Sequence, residues 1–168
     1  MTGNGRFLLG CAFAAALVLA FGATPAAAQT CNGLTATITG TSGNDNIYGS
    51  SFADVIVGNG GSDYVSAGSG NDSVCGGSAD DHFHGDSGAD YLAGFGSFDM
   101  LEGYSENDLI AGHDGNDNLY GDAGNDEIYG GIGNDYLSGG TETDILNGRE
   151  GTDTCTGGET YVSCEGIY

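Results

Sequence analysis

Thirteen aspartates stand nine residues apart without an insertion, at Asp45, Asp54, Asp63, Asp72, Asp81, Asp90, Asp99, Asp108, Asp117, Asp126, Asp135, Asp144 and Asp153. Carboxylates brought together at a fixed interval have two chemistries open to them: they share protons, or they ligate hard cations through oxygen. Nothing else in the chain offsets their charge. The 168 residues include 24 acidic and two basic side chains, for a formal net charge of −22, and both basic residues are arginine. That balance excludes nucleic acid as a partner, because nothing would neutralise the phosphates. High acidity also marks disordered chains. Here an apolar residue follows two positions after each aspartate (Ile47, Ile56, Val65, Val74, Phe83, Leu92, Leu101, Ile110, Leu119, Ile128, Leu137, Leu146 and Cys155), and together with nine tyrosines it argues for a fold.

The elements that must position these aspartates follow from the rest of the period. Glycine stands five residues before the aspartate in twelve copies, with Ala67 the exception, and two before it in eight. Phe52, Ala79, Ser97, Glu106 and Glu142 replace that second glycine. A fixed period with fixed chemistry at three positions means one structural unit stacked on itself. Each unit divides into a Gly-rich turn of about six residues and a strand of about three, whose central apolar side chain points inward. Two nonapeptide units close one coil, and the strands form two facing parallel sheets around a thin core. The expected class is therefore an all-β solenoid. At an interstrand spacing of about 4.8 Å, six to seven coils make a rod on the order of 30 Å long. Stacking puts Asp45, Asp63, Asp81, Asp99, Asp117, Asp135 and Asp153 on one edge and Asp54, Asp72, Asp90, Asp108, Asp126 and Asp144 on the other. Two carboxylates about 5 Å apart repel by about 3 kcal/mol at an effective dielectric of 20, which opposes folding of the bare chain.

The unit has the form G-G-x-G-x-D-x-U-x, cleanest in AGSGNDSVC (67–75), GDAGNDEIY (121–129) and GGIGNDYLS (130–138). On these residues the chain resembles the RTX (repeats-in-toxin) family over about seven tenths of its length. The resemblance implies a parallel β-roll in which Ca2+ ions lie between stacked turns, held by aspartates of both turns and by turn carbonyls. Calcium also fits on its own chemistry, since it takes six to eight oxygens at flexible angles and accepts carbonyls. Magnesium, which demands octahedral geometry and keeps its water, is the poorer candidate, and the EF-hand lacks its flanking helices. All thirteen aspartates are candidate ligands. The best pairs are Asp45/Asp63, Asp72/Asp90, Asp117/Asp135 and Asp135/Asp153, whose turns keep the second glycine; sites at Asp81 and Asp99 are weakest, because both of their turns are altered. The competing reading is that aspartate merely caps turns.

The ends read differently. Residues 1–28 have the form of a secretory signal peptide, with Arg6 before the apolar run Phe7 to Phe21 and Ala26-Ala27-Ala28 placing cleavage between Ala28 and Gln29. A lipoprotein reading at Cys11 has almost no apolar segment before it, and no stretch suits a transmembrane span. The expected localisation is secreted and extracellular. Cleavage removes one positive and no negative charge, taking −22 to −23. Residues 29–39 are expected to be an N-terminal capping repeat with Ile38 inward and Ala36 in place of the aspartate. Residues 40–156 form the roll, and 157–168 a C-terminal cap with Cys164 inward and Val162 in place of the aspartate. Four cysteines remain after cleavage, which suggests two disulfides with three possible connectivities. Proximity along the repeat favours Cys31–Cys75 and Cys155–Cys164. The second pair requires the roll to pinch, since facing sheets stand about 10 Å apart and a disulfide holds its Cα atoms within about 7 Å.

The outer faces also differ. One presents Val55, Val57, Tyr91, Ala93, Leu109, Ala111, Tyr129 and Ile145, an apolar stripe suited to self-association or an extracellular surface partner. The other presents Asn46, Tyr64, Ser66, His82, Glu102, Asn118 and Ser138. His82 and His84 flank inward Phe83 and suit weak binding of a transition metal or nothing at all. Gly85-Asp86-Ser87-Gly88 spells GDSG, found around some serine nucleophiles, but it is in phase with every other turn and has no pocket. The expectation is no enzyme. It is a calcium-binding protein that folds on binding the ion and serves as a structural or interaction module; the alternative is a calcium-dependent adhesin or self-assembling matrix protein, with a hydrolase the weakest reading.

Overall fold

The computed structural model describes residues 29–167, so the signal peptide reading lies outside the described residues. Eighteen strands follow one another: β1 (Thr30–Cys31), β2 (Leu34–Thr35), β3 (Ile38–Thr39), β4 (Asn46–Tyr48), β5 (Val55–Gly60), β6 (Tyr64–Ser66), β7 (Ser73–Ser78), β8 (His82–Ser87), β9 (Tyr91–Gly96), β10 (Met100–Ser105), β11 (Leu109–Asp114), β12 (Asn118–Ala123), β13 (Glu127–Ile132), β14 (Tyr136–Thr141), β15 (Ile145–Glu150), β16 (Thr154–Thr156), β17 (Thr160–Val162) and β18 (Gly166–Ile167). Even-numbered strands from β4 to β18 form one eight-stranded sheet and odd-numbered strands from β3 to β17 the other. Every ladder within these sheets is parallel. Through the body of the rod each residue pairs with its counterpart two repeats on, as in Leu101↔Leu119 and Ile110↔Ile128. The architecture is the expected all-β parallel solenoid, a β-roll.

Most strands are longer than the expected length. From β7 to β15 each has six residues, because the chain stays extended past the apolar residue and through the glycine two positions on. That glycine faces inward too: Leu101 and Gly103 are both buried, with Glu102 between them half-buried on the outer face. The core is accordingly one row of apolar side chains per sheet, from Ile47 to Cys155, with Ile38, Tyr161 and Cys164 packed on its ends.

Both termini depart from the extrapolated repeat. Only Ile38–Thr39 of the N-terminal segment joins the ladder, pairing with Ile56 and Val57. Residues 30–35 instead turn back as an antiparallel hairpin, with Thr30 opposite Thr35 and Cys31 opposite Leu34. Its corner is Asn32-Gly33, with φ of 51° and 75°, the pair of left-handed residues that closes a two-residue hairpin. The hairpin lies on the outer face of the odd-numbered sheet. There buried Cys31 packs with Cys75, Ala93, Val55, Val57 and Tyr91 and is bonded to Cys75 at a Cα separation of 5.7 Å. Part of the apolar stripe expected to await a partner is thus covered by the chain itself.

At the other end the last coils shorten. Leu146 pairs with Tyr161 and Cys155 with Ile167, each partner lying nearer along the chain than two full repeats. Tyr161, not Cys164, occupies the inward register position. The shortened coil supplies the pinch that the sequence required, and Cys155 and Cys164 are bonded with their Cα atoms 5.9 Å apart.

Candidate metal centre

Each aspartate closes a turn, and its two oxygens meet different fates. Oδ1 accepts a hydrogen bond from the backbone N–H of the aspartate one coil earlier. The bond measures 2.9 Å from Asp45 to Asp63, 2.8 Å from Asp90 to Asp108 and 2.9 Å from Asp135 to Asp153. The same contact repeats at every intervening step on both edges. The two rows of aspartates expected from the period are therefore real, and each is a continuous ladder. Asp81 and Asp99, weakest on sequence, are joined by the same 2.8 Å bond as the rest.

Oδ2 points the other way, into the roll, and lies where a Cβ on the glycine five residues back would be. A methyl group there would come within 2.2 Å of Oδ2 at Gly103, Gly112 and Gly121. Such close contact accounts for glycine at that position in twelve copies, and only Ala67, buried before Asp72, carries a methyl there. Among the described residues, Oδ2 of eleven aspartates (Asp63, Asp72, Asp81, Asp90, Asp99, Asp108, Asp117, Asp126, Asp135, Asp144 and Asp153) is buried without a hydrogen-bond partner. A buried charged oxygen without a partner is costly, and one orphan would call for explanation. Eleven in two rows are an arrangement that a row of cations fits. The only basic side chain among the described residues is Arg149, whose guanidinium lies 4.7 Å from the Tyr129 ring centroid on an outer face. Among the described residues, no side chain supplies the counter-charge.

The electrostatics agree. Burial, reinforced by neighbouring aspartates, pushes these carboxyls up: to about 8 at Asp99 and Asp108, about 7 at Asp81 and Asp90, and about 6 at Asp72, Asp117, Asp126 and Asp135. Asp63, Asp144 and Asp153, nearer the ends, are raised chiefly by burial as well. The Oδ1 hydrogen bond opposes the shift but does not cancel it. In the absence of a cation, neutral pH is a compromise between protonation and repulsion.

The leading turn on each edge differs. Asp45 Oδ2 accepts from the backbone N–H of Thr41 at 2.6 Å and from its hydroxyl at 2.9 Å. Asp54 Oδ2 accepts from the N–H and hydroxyl of Ser50, both at 2.8 Å. These two oxygens are satisfied by their own turns. The backbone marks the same division. In the eleven later turns the residues four and two before the aspartate have positive φ, whereas Thr41, Gly43, Ser50 and Phe52 do not. Ala79, Ser97, Glu106 and Glu142, which replace the second glycine, hold the left-handed conformation at φ of 73° to 83°. The altered turns therefore keep the shape of the glycine turns. Asn59, Asp86, Phe95, Tyr104, His113, Asp122 and Arg149 do the same at the other position. Non-glycine residues hold such backbone only where surrounding structure compels it.

Three further groups belong to the ladders, a role that the sequence reading assigned to none of them. The asparagine before the aspartate accepts, through its side-chain oxygen, the backbone N–H one coil later: Asn116 from Asn134 at 2.7 Å and Asn134 from Thr152 at 2.9 Å. These bonds run opposite in sense to those of the aspartates. Glu106 and Glu142 reach back to accept from the N–H of Gly88 and Gly124, adding negative charge beside Asp108 and Asp144. Finally, Glu165 accepts from the Asp153 N–H at 2.8 Å, taking the place of the next aspartate where the period ends. The GDSG stretch takes the conformation of its neighbours, with Gly85 buried and Asp86 left-handed at φ 71°.

The donor set is all oxygen, anionic, and repeated without a compensating base, which fits a hard divalent cation of the calcium type. A comparison with curated protein sequences returns no match. The family model of the RTX calcium-binding nonapeptide repeat matches residues 39–74, 76–101, 94–128, 102–137 and 129–159, which together take in well over half of the sequence. With the ladders, the inward oxygens and the repeat in agreement, the chain belongs to the RTX calcium-binding nonapeptide repeat family.

Proposed function

We propose that this is an exported calcium-binding protein in which the ion completes the fold, and that the finished rod serves as a structural or interaction module. The observation that carries the reading is the double row of eleven buried, partnerless Oδ2 atoms. Asp63, Asp81, Asp99, Asp117, Asp135 and Asp153 would hold ions along one edge, and Asp72, Asp90, Asp108, Asp126 and Asp144 along the other. Bound calcium would supply the positive charge that these carboxylates lack. The chain's own part is to hold the carboxylates in register, exclude water from their inner oxygens and offer turn carbonyls alongside. Asp45 and Asp54 belong to the same rows, but Thr41 and Ser50 already satisfy them, so they serve as caps and contribute least to binding.

Residues 40–156 are the calcium-binding unit, 29–39 and 157–168 its two caps, and 1–28 a leader that directs export. Two disulfides suit an oxidising compartment outside the cytosol. Calcium is abundant there, so a chain that folds on binding it stays unfolded during export and becomes a rod on arrival.

The test is a calcium titration of residues 29–168 followed by far-UV circular dichroism, with magnesium as control. A cooperative coil-to-β transition at submillimolar to millimolar calcium, absent with magnesium, is the expected result. A β-rich spectrum already present in chelator at neutral pH would reduce the aspartates to turn caps and end this reading. A calcium-dependent adhesin or self-assembling matrix protein is the second reading, resting on the uncovered part of the apolar face. Exposed Ile145 remains there beyond the hairpin, and calcium-driven oligomerisation in sedimentation would favour it.

A further inference from the structure

Away from the ladders, the outer face of the even-numbered sheet carries a cluster of different chemistry. His82 and His84 project from β8 on either side of inward Phe83, and Glu102 projects from β10 directly beside His84 in the parallel register. The two Nε2 atoms face each other at 3.0 Å. The Glu102 carboxylate meets both rings, with Oε1 3.8 Å from His82 Nε2 and Oε2 3.5 Å from His84 Nε2. Two imidazole nitrogens and a carboxylate oxygen thus converge on one point from adjacent strands.

We propose that His82, His84 and Glu102 form a binding site for a divalent transition metal, zinc above all, separate from the calcium ladders. Three observations carry it. First, the spacing is that of a coordination sphere. In a tetrahedral zinc site with bonds near 2.0–2.1 Å, ligand atoms lie about 3.3 Å apart; here one ligand atom from each of the three side chains lies within 4.8 Å of the others, with the two Nε2 atoms 3.0 Å apart. Second, the donors suit the ion. Calcium takes oxygen only, whereas imidazole with carboxylate is a zinc set. Third, the ligands have support behind them. Tyr64 Oη lies 3.3 Å from His84 Nδ1, so the Nδ1–H can donate there and leave the Nε2 lone pair free. Tyr104 meets the His84 ring edge-on, with ring centroids 5.1 Å apart. His84 and Glu102 side chains are largely covered, at 18% and 23% exposure, and His82 is the open one at 41%.

Three protein ligands leave one tetrahedral position for water or for a group brought by another molecule. The ion would also tie β8 to β10, adjacent coils in the middle of the rod, and replace the proton that one Nε2 must otherwise supply to the other. The third histidine is an internal control: His113 stacks on Phe95 on the opposite sheet, with ring centroids 4.8 Å apart, and has no part in the cluster.

The test uses calcium-saturated protein without an affinity tag, so that the ladders are filled and no foreign histidine competes. Zinc is titrated by calorimetry in a non-coordinating buffer, and cobalt(II) is used as the spectroscopic stand-in. The expected result is one tight zinc per chain and the intense visible bands of four-coordinate cobalt. His82→Gln, His84→Gln and Glu102→Gln should each weaken zinc at least tenfold, and His113→Gln should leave it unchanged. Calcium-induced circular dichroism is read on every variant, and it should not move, since these side chains lie outside both core and ladders. The proposal is overturned if the His82→Gln/His84→Gln double variant binds zinc as the parent does, or if the parent shows no saturable zinc binding.

Discussion

Each repeat turns on a single carboxylate whose two oxygens are treated unequally. Oδ1 is spent on the neighbouring coil, and Oδ2 is turned inward against a glycine. In twelve copies that glycine is held by contact, Ala67 being the one position built around a methyl, so alanine at a glycine position should be penalised as an overpacked core is, by about 1–3 kcal/mol. Gly112→Ala would place its methyl 2.2 Å from Asp117 Oδ2, whereas Gly96→Ala meets nothing nearer than 3.8 Å. Urea unfolding of the calcium-loaded protein should separate the two, with Gly96→Ala close to the parent. The aspartates were legible because all thirteen recur in phase. The asparagine ladder was not, because only six of the thirteen aspartates are preceded by asparagine. Its bond also spans a whole coil, leaving no local signature. Thr41 and Ser50 do leave one, a hydroxyl four residues before the first aspartate of each edge, which the regularity of the later copies obscures.

At the scale of elements, the period of nine fixed the inward face of every strand from β4 to β16, because a strand with one buried side must keep its alternation. It failed where it was carried beyond the first and the last aspartate. An Asn-Gly pair beside Cys31 is a strong local hairpin signal, and it prevailed over the extrapolated repeat. At the other end, shortened coils brought Tyr161 rather than Cys164 into register, which no periodic argument foresees. The hairpin has a consequence of its own. Held to β7 by Cys31–Cys75, it shields Val55, Val57, Tyr91 and Ala93. A Cys31→Ser/Cys75→Ser variant should lose about 2–4 kcal/mol of stability and expose that patch. Binding of a hydrophobic dye to the calcium-loaded variant, absent in the parent, would register the exposure, and an unchanged signal would mean that packing alone seats the hairpin.

For the molecule as a whole, the raised carboxyls make proton and calcium competitors for one role. The folded state holds protons that the unfolded chain, with its carboxyls near 3.8, releases. Without calcium, the stabilisation from these groups is complete below about pH 4. It is lost as pH rises through the folded values of about 6 to 8. In chelator, lowering the pH from 8 to 5 should therefore raise the β signal in circular dichroism. With calcium present, the same change should weaken the ion's apparent affinity. A calcium-free spectrum that stays coil-like over this range would contradict the raised values. The rod has one more property, which follows from its unvarying step. Each coil is joined to the next by the same bonds, while the beginning is closed by Thr41 and Ser50 and the Asp45 edge ends at Glu165. Inserting or deleting a pair of repeats between these ends changes no bond type. Length is therefore a free parameter of the fold, and reach and ion capacity rise and fall together, two carboxylates to a coil.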